Sequence, residues 1–245
     1  MTFYNMQSGE RFVASCLRIL AHHELTLRVG YDFHQYRELM RAARPEHTIG
    51  VPFDPDLHDF DATPGFWIIA TEPDGTAVHS QALRLLDLGE DNLANHLTTN
   101  FTDFPPPSIA LNLERSYYQA GPGAQRMRGR IAYHGEFWIG GREGQFRGGG
   151  LSTMLARYGF WMATQHWDPD HIFAFILNHV HYKGLAARTG WMHTDPAALQ
   201  WFPLEERPAI ETVMAYLHRD DIEYLMRLPL RIPDLAPARK STQAA

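Results

Sequence analysis

Cysteine is almost missing from this chain of 245 residues, where Cys16 stands alone. A lone cysteine excludes an internal disulfide and any zinc site built on several thiolates. Its setting among the apolar residues between Phe12 and Leu20 reads as a buried structural thiol rather than a nucleophile. Long apolar runs are missing too. No stretch approaches bilayer-spanning length, and the N-terminus lacks the basic-then-apolar order of a secretory signal, so the expected location is the cytoplasm. Excess positive charge is also missing. Lys and Arg number 22 against 28 Asp and Glu, a formal net charge of −6. Such a balance gives no general attraction for nucleic acid or anionic membrane, so polyanion binding would need a local basic patch. Despite 14 histidines, among them His22, His23, His179 and His181, no HExxH spacing exists to hold a metal. No Gly-x-Ser-x-Gly elbow exists to present a serine nucleophile. No metal is expected.

What is present is the composition of an ordinary globular protein, 44% hydrophobic and 20% charged, in a chain long enough to bury a core. Internal repeats and abrupt composition changes are absent, so residues 1–232 are expected to form one domain, with 233–245 as a loose tail after Pro229 and Pro233. The chain alternates element types. Residues 9–22 have helical spacing with Phe12, Cys16, Ile19 and Leu20 on one side, and Glu24–Val29 alternates as a strand. Phe33–Arg44 reads as a helix ended by Pro45, followed by a Pro- and Asp-rich loop. Phe66–Thr71 and Ala77–Leu86 flank a Pro-Asp-Gly centre and read as a hairpin. Glu90–Phe101 reads as a helix, and 108–129 as partly irregular. Arg130–Ile139 is a strand, and His171–Asn178 is a continuous apolar run suited to a strand covered on both faces. Tyr182–Thr189 reads as a helix stopped by Gly190, Leu199–Leu204 and Glu211–Leu217 as a strand pair, and Asp220–Leu228 as a last helix.

The stretch from Glu136 to Leu155 organises the rest. It begins strand-like and passes through Gly140, Gly141, Gly144, Gly148 and Gly149, with Arg142 and Arg147 between them. At Gly150 it turns into a helical pattern with Leu151, Met154, Leu155, Tyr158, Trp161 and Met162 along one stripe. Strand, glycine turn, helix is a layout in which free N–H groups and a helix N-terminus can hold an anion such as phosphate. On the glycines alone, a plain turn is the better reading.

The succession of strand, Arg147-Gly148-Gly149-Gly150-Leu151-Ser152, helix, apolar strand, Asn178, helix and Gly190-Trp191 resembles the GNAT superfamily of N-acyltransferases. That family carries Gln/Arg-x-x-Gly-x-Gly/Ala at a helix start, where the pyrophosphate of acyl-CoA binds. Here Ser152 departs from the last position. The likeness covers Arg130–Trp191 well and the remainder by element order. It implies an α/β (α+β) fold with a mixed, mostly antiparallel central sheet of about seven strands, flanked by helices on both faces. It also implies that the strands before and after the loop splay apart, so that the pantetheine arm pairs with Glu136–Ile139 and Phe175–Asn178. The donor site so implied comprises Trp138, Ile139, Arg142, Arg147, Gly148, Gly149, Gly150, Leu151, Ser152 and Asn178. Asn178 has the alternative of capping the next helix.

The chemistry implied is transfer of an acyl group, acetyl in the first instance, from acyl-CoA to the amine of a small and conceivably amino-acid-like acceptor. An attacking amine must lose a proton. Glu136 is the first candidate base, since strand alternation sets His134, Glu136 and Trp138 on one face. Many family members protonate the leaving thiolate with a Tyr at the position of Ala186, so either Tyr182 substitutes from one turn earlier or solvent supplies the proton. The loop around Asp59-Phe60-Asp61 and the run Ala82-Leu83-Arg84 carry a fainter resemblance to autoinducer (acyl-homoserine lactone) synthases. It leaves open an autoinducer-type or N-acyl amino acid synthase with a longer donor on CoA or acyl carrier protein. A non-catalytic acyl-CoA-binding module is a third reading. A homodimer is compatible with all three.

Overall fold

A computed structural model describes residues 6–61, 63–146 and 149–230. The tail at 233–245 lies outside them. In chain order the elements are α1 (Met6–His22), β1 (Thr26–Gly30), α2 (Phe33–Ala43), β2 (Gly65–Thr71), β3 (Ala77–Asn92), α3 (Leu93–Asn100), β4 (Tyr117–Tyr118) and α4 (Pro122–Arg126). They continue with β5 (Arg128–Ile139), α5 (Leu151–Trp167), β6 (His171–Leu177), α6 (Asn178–Tyr182), α7 (Leu185–Thr189), β7 (His193–Trp201), β8 (Ile210–His218) and α8 (Arg219–Arg227). Among the described residues, eight strands form one sheet in the order β1-β2-β3-β5-β6-β8-β7-β4. Only β5 and β6, joined through α5, pair in parallel; the neighbouring pairs are antiparallel. This is the mixed, mostly antiparallel sheet expected, with one short edge strand more than the seven anticipated.

Helices cover both faces because the strands alternate between two cores. On one face Ile172 and Ala174 of β6 join Cys16 of α1, Leu155 of α5 and Leu225 of α8. On the other, Phe173 joins Tyr36 of α2, Leu97 of α3 and Ala124 of α4. Burial on both sides accounts for the unbroken apolar run of β6. Cys16 is 2% exposed, and burial pushes its thiol up to about 12, which leaves it inert at neutral pH. No helix among the described residues is long and apolar enough to cross a membrane.

Three local expectations need correction. The stripe expected on α5 is too narrow. Tyr158, Trp161 and Met162 are only partly buried, whereas Ala156, Phe160, Ala163 and Trp167 are buried. The helix packs against the sheet and against other helices, so small residues take the closest approaches. A Cβ at Gly159 would lie 2.5 Å from Oε1 of Gln81 on β3. The expected helix Tyr182–Thr189 is two short helices, α6 and α7, broken at Gly184 with φ +80°. The closing turn at Gly190, with φ +99°, is as expected. Finally, β3 runs on to Asn92, whose side chain caps α3 by accepting the N–H of Asn95 at 2.8 Å. The stretch left irregular contains β4 and α4.

Candidate active site

The parallel pair β5–β6 holds together over Ile131–Tyr133 and His171–Phe173. Beyond that, β5 follows β3 and β6 follows β8, and no ladder pairing joins the two among the described residues. The separation coincides with a bulge. Ser80 pairs with Trp138 but Ala82 pairs with Gly135, so Glu136 and Phe137 together stand opposite Gln81 alone. Glu136 takes φ +56°, a left-handed conformation that costs a non-glycine residue about 1–2 kcal/mol. Between the parted strands lies a cleft of about 350 Å³. Its walls include Gly135–Trp138 of β5 and Ala174–Leu177 of β6, with Leu185 and Trp191 from one core and Phe53, Phe104 and Trp201 from the other.

The bulge also reverses which residues share a face, which corrects the grouping of His134, Glu136 and Trp138. His134 lies before the extra residue and packs edge-on to Phe160 and beside Trp191, on the α5 side. Glu136 and Trp138 lie after it and point to the α2 side. There Oε1 of Glu136 accepts the Gly50 N–H at 2.9 Å, and Oε2 lies 3.0 Å from Nε2 of His47. The Glu136 side chain is 7% exposed. A carboxylate has about four lone-pair sites, so two remain for a ligand. The Arg44 guanidinium lies over the Trp138 ring at 4.9 Å.

Across the sheet, Gln81 links two elements. Its amide donates to the Leu155 carbonyl at 2.7 Å, and its oxygen lies 2.8 Å from Nε2 of His134. Since that oxygen can only accept, Nε2 carries the His134 proton and Nδ1 is left a bare acceptor with no partner among the described residues. Burial pushes His134 down to about 3, with His79 adding to the shift. Burial likewise holds His79 at about 3, although its Nδ1 lies 2.6 Å from the Trp138 carbonyl.

Arg147 and Gly148 of the glycine turn lie outside the described residues. Gly149 is buried against His23, where a Cβ would come 2.4 Å from Nε2. Gly150 stands at the N-cap of α5 with φ +71° and no side-chain cap. Gly150 has no side chain with which to cap the first-turn N–H groups of α5; Leu151 is buried and Ser152 half-buried. Arg142 is exposed, and its backbone N–H donates to Gln145 at 2.8 Å.

Several other anticipated residues lie away from the cleft. Ile139 packs into the α5-side core. Asn178 does not cap α6; its Nδ2 donates to Oε2 of Glu211 at 3.1 Å, beside a separate hollow also lined by Tyr182. Tyr182 is 79% exposed, and Ala186 is buried. Sequence reasoning missed Arg44 and His47, which carry no local signal and meet Glu136 and Trp138 only through the fold. It also missed His193, His218 and Asp221, whose ligand-type atoms lie within 4.8 Å of one another. They are engaged with each other. His193 bonds Asp221 at 2.8 Å, and His218 and Asp221 form the capping box of α8.

No known family profile matches this chain, and no curated protein does. Some solved structures are similar to it at low identity. An aminoglycoside acetyltransferase AAC(6')-Ib in complex with coenzyme A and kanamycin is 13% identical, with a TM-score of 0.42 over 82% of this chain and 98% of that one. Spermidine/spermine N-acetyltransferase SpeG from Vibrio cholerae is 10% identical, with a TM-score of 0.42 over 81% and 96%. Arabidopsis thaliana NAA60 in complex with a bisubstrate analogue is 10% identical, with a TM-score of 0.44 over 79% and 98%. At that level no residue and no activity is carried from them to this chain.

Proposed function

We propose that the protein is an N-acyltransferase that moves an acyl group from acyl-CoA to a small amine. One observation carries the reading: parted parallel strands lie next to an uncapped, 17-residue helix that begins at a left-handed glycine. Unpaired strand edges suit an extended chain bearing amides. A helix N-terminus suits a phosphate. Acyl-CoA joins these two features in one molecule and ends in a thioester, which the cleft is wide enough to receive. The cradle consists of Gly149, Gly150, Leu151 and Ser152, to which the family resemblance adds Arg147 and Gly148.

The amine enters from the α2 side, where Glu136 has free lone pairs. Its nitrogen attacks the thioester carbonyl, the N–C bond forms, and the C–S bond breaks. Glu136 takes the proton the nitrogen sheds, directly or through one water. His47 and the Gly50 N–H hold the carboxylate in place. The thiolate takes its proton from water, since Ala186 has none to give and Tyr182 is exposed beside another hollow.

The test is release of free thiol from acetyl-CoA and from longer acyl-CoA and acyl carrier protein donors, with a broad amine panel and product mass spectrometry. Transfer from any of them supports acyl transfer. A long-chain product with acetyl-CoA inert selects a synthase of the autoinducer type. Binding of acyl-CoA with no thiol released from any amine refutes the enzyme reading.

A further inference from the structure

Among the described residues Arg44 is a cation with no counter-ion in contact. Among the described residues its guanidinium has no ion pair or side-chain hydrogen bond, only the face of Trp138 at 4.9 Å. It lines the cleft, as does Glu136. The two charges sense each other, since Glu136 opposes the lowering of the Arg44 pKa that burial causes. Yet they do not form an ion pair within 4.0 Å; the contacts of the Glu136 oxygens are with Gly50 and His47. One cleft thus presents a carboxylate with spare lone pairs and, beside it, a guanidinium with unused donors.

Resting on the acyl-transfer reading, we infer that the acceptor is a zwitterion, an α-amino acid whose amine meets Glu136 and whose carboxylate meets Arg44. An α-amino acid carries its two charged groups on one carbon, so it can bridge two opposite charges that face one space without touching. The guanidinium fork suits a carboxylate, and the cation–π contact with the Trp138 ring holds it at the cleft. The walls specify the rest of the molecule. Phe53, Phe104, Tyr133 and Phe175 line the α2 side of the cleft, with Phe53 stacked on Tyr133 at 5.6 Å and Phe104 edge-on to Tyr133 at 4.9 Å. They suit an aromatic or bulky apolar side chain. Glu136 is the only carboxylate lining the cleft among the described residues, which disfavours acceptors bearing several ammonium groups.

The full-length protein should be assayed by thiol release with L-phenylalanine, L-phenylalaninamide, 2-phenylethylamine and spermidine. The amide is the sharpest control. It keeps the size and shape and is more fully deprotonated at neutral pH, and 2-phenylethylamine, whose amine is at least as basic as that of phenylalanine, controls for the amide's lower nucleophilicity. We expect kcat/KM for phenylalanine to exceed that for the amide and the amine by about 10- to 100-fold, the range of a charge-assisted contact. In Arg44→Gln that ratio should fall to within about 3-fold of unity, chiefly through KM for the amino acid, and Arg44→Lys should recover part of it. Circular dichroism melting establishes that the variants fold, and the wild-type comparison stands without them. If the amide or amine is used as well as phenylalanine by the wild type, the inference is overturned while acyl transfer stands. If phenylalanine is preferred but Arg44→Gln keeps the preference, Arg44 is not its receptor. If no amine releases thiol, the acyl-transfer reading falls, and this inference falls with it.

Discussion

Replacing Glu136 with Gln tests the proposed base with little change of shape. Gln fills the same space, and its amide oxygen can keep the Gly50 N–H that Oε1 accepts at 2.9 Å. Its amide nitrogen would then face His47 at the 3.0 Å contact, which a His lone pair on Nε2 can accept. Both bonds persist but lose charge assistance, about 1 kcal/mol in each case, so the fold should lose about 1–2 kcal/mol. For a chain of this size that lowers Tm by about 2–8 °C. The rate should fall much further. General-base catalysis is worth about 100- to 10,000-fold, or roughly 3–5 kcal/mol of barrier. The assay is kcat for thiol release at saturating acyl-CoA and acceptor, with acyl-CoA affinity measured separately by calorimetry and expected to stay within about 2-fold, since the donor cradle is elsewhere. Raising the pH should recover part of the variant's rate, because a more basic medium deprotonates the amine without help. A variant that melts normally and keeps a third of the wild-type kcat would refute the role assigned to Glu136. Glu136→Gly separates backbone from side chain. It relieves φ +56°, about 1–2 kcal/mol, but forfeits both bonds, so it should be no more stable than wild type and as slow as the Gln variant.

Gly150→Asp addresses the donor. Asp tolerates left-handed backbone and favours a helix start, so Tm should move by only a few degrees, while its charge at the α5 N-terminus should weaken acyl-CoA binding about 10-fold or more; unchanged affinity would remove the phosphate cradle. Acid stability follows from His79 and His134, both buried and both held at about 3. Because folding lowers these pKa values, the unfolded chain binds protons below about 6.5 that the folded chain refuses, so stability is full above that pH and lost as the pH falls toward 3. At pH 5 each contributes a loss of about 2 kcal/mol, and together a drop in Tm of roughly 8–16 °C from pH 7. A Tm at pH 5 within 2 °C of its pH 7 value would show that the two rings do not stay neutral on folding, and His134→Gln should flatten the profile by about a third, because His171, held at about 4 by burial, adds a similar loss at pH 5.

Much of the scaffold was legible because it rests on local periodicity. The buried positions of α1 and α2, the β2–β3 hairpin at Pro73-Asp74-Gly75, the both-sides-covered strand β6 and the stop at Gly190 follow from patterns spanning a few residues. The errors have two causes, packing around an element and a left-handed glycine inside one. Neighbouring helices and the sheet bury α5 beyond its apolar stripe, and Gly184 breaks a helix that composition alone would continue.

The site divides along the same line. The glycine turn at the start of α5 is contiguous in the chain, so the sequence by itself determined where this helix, the proposed phosphate site, would begin. The proposed acceptor side is assembled from Arg44, His47, Gly50 and Glu136, with His47 and Glu136 89 positions apart in the chain, and no local pattern joins them. The facing of Glu136 turned on a single extra residue. Strand alternation is a period of two, so a bulge between Gly135 and Trp138 inverts every side chain beyond it. That inversion sets Glu136 against His47 instead of beside His134, and it depends on pairing with β3 and on a positive φ that only the assembled sheet sustains.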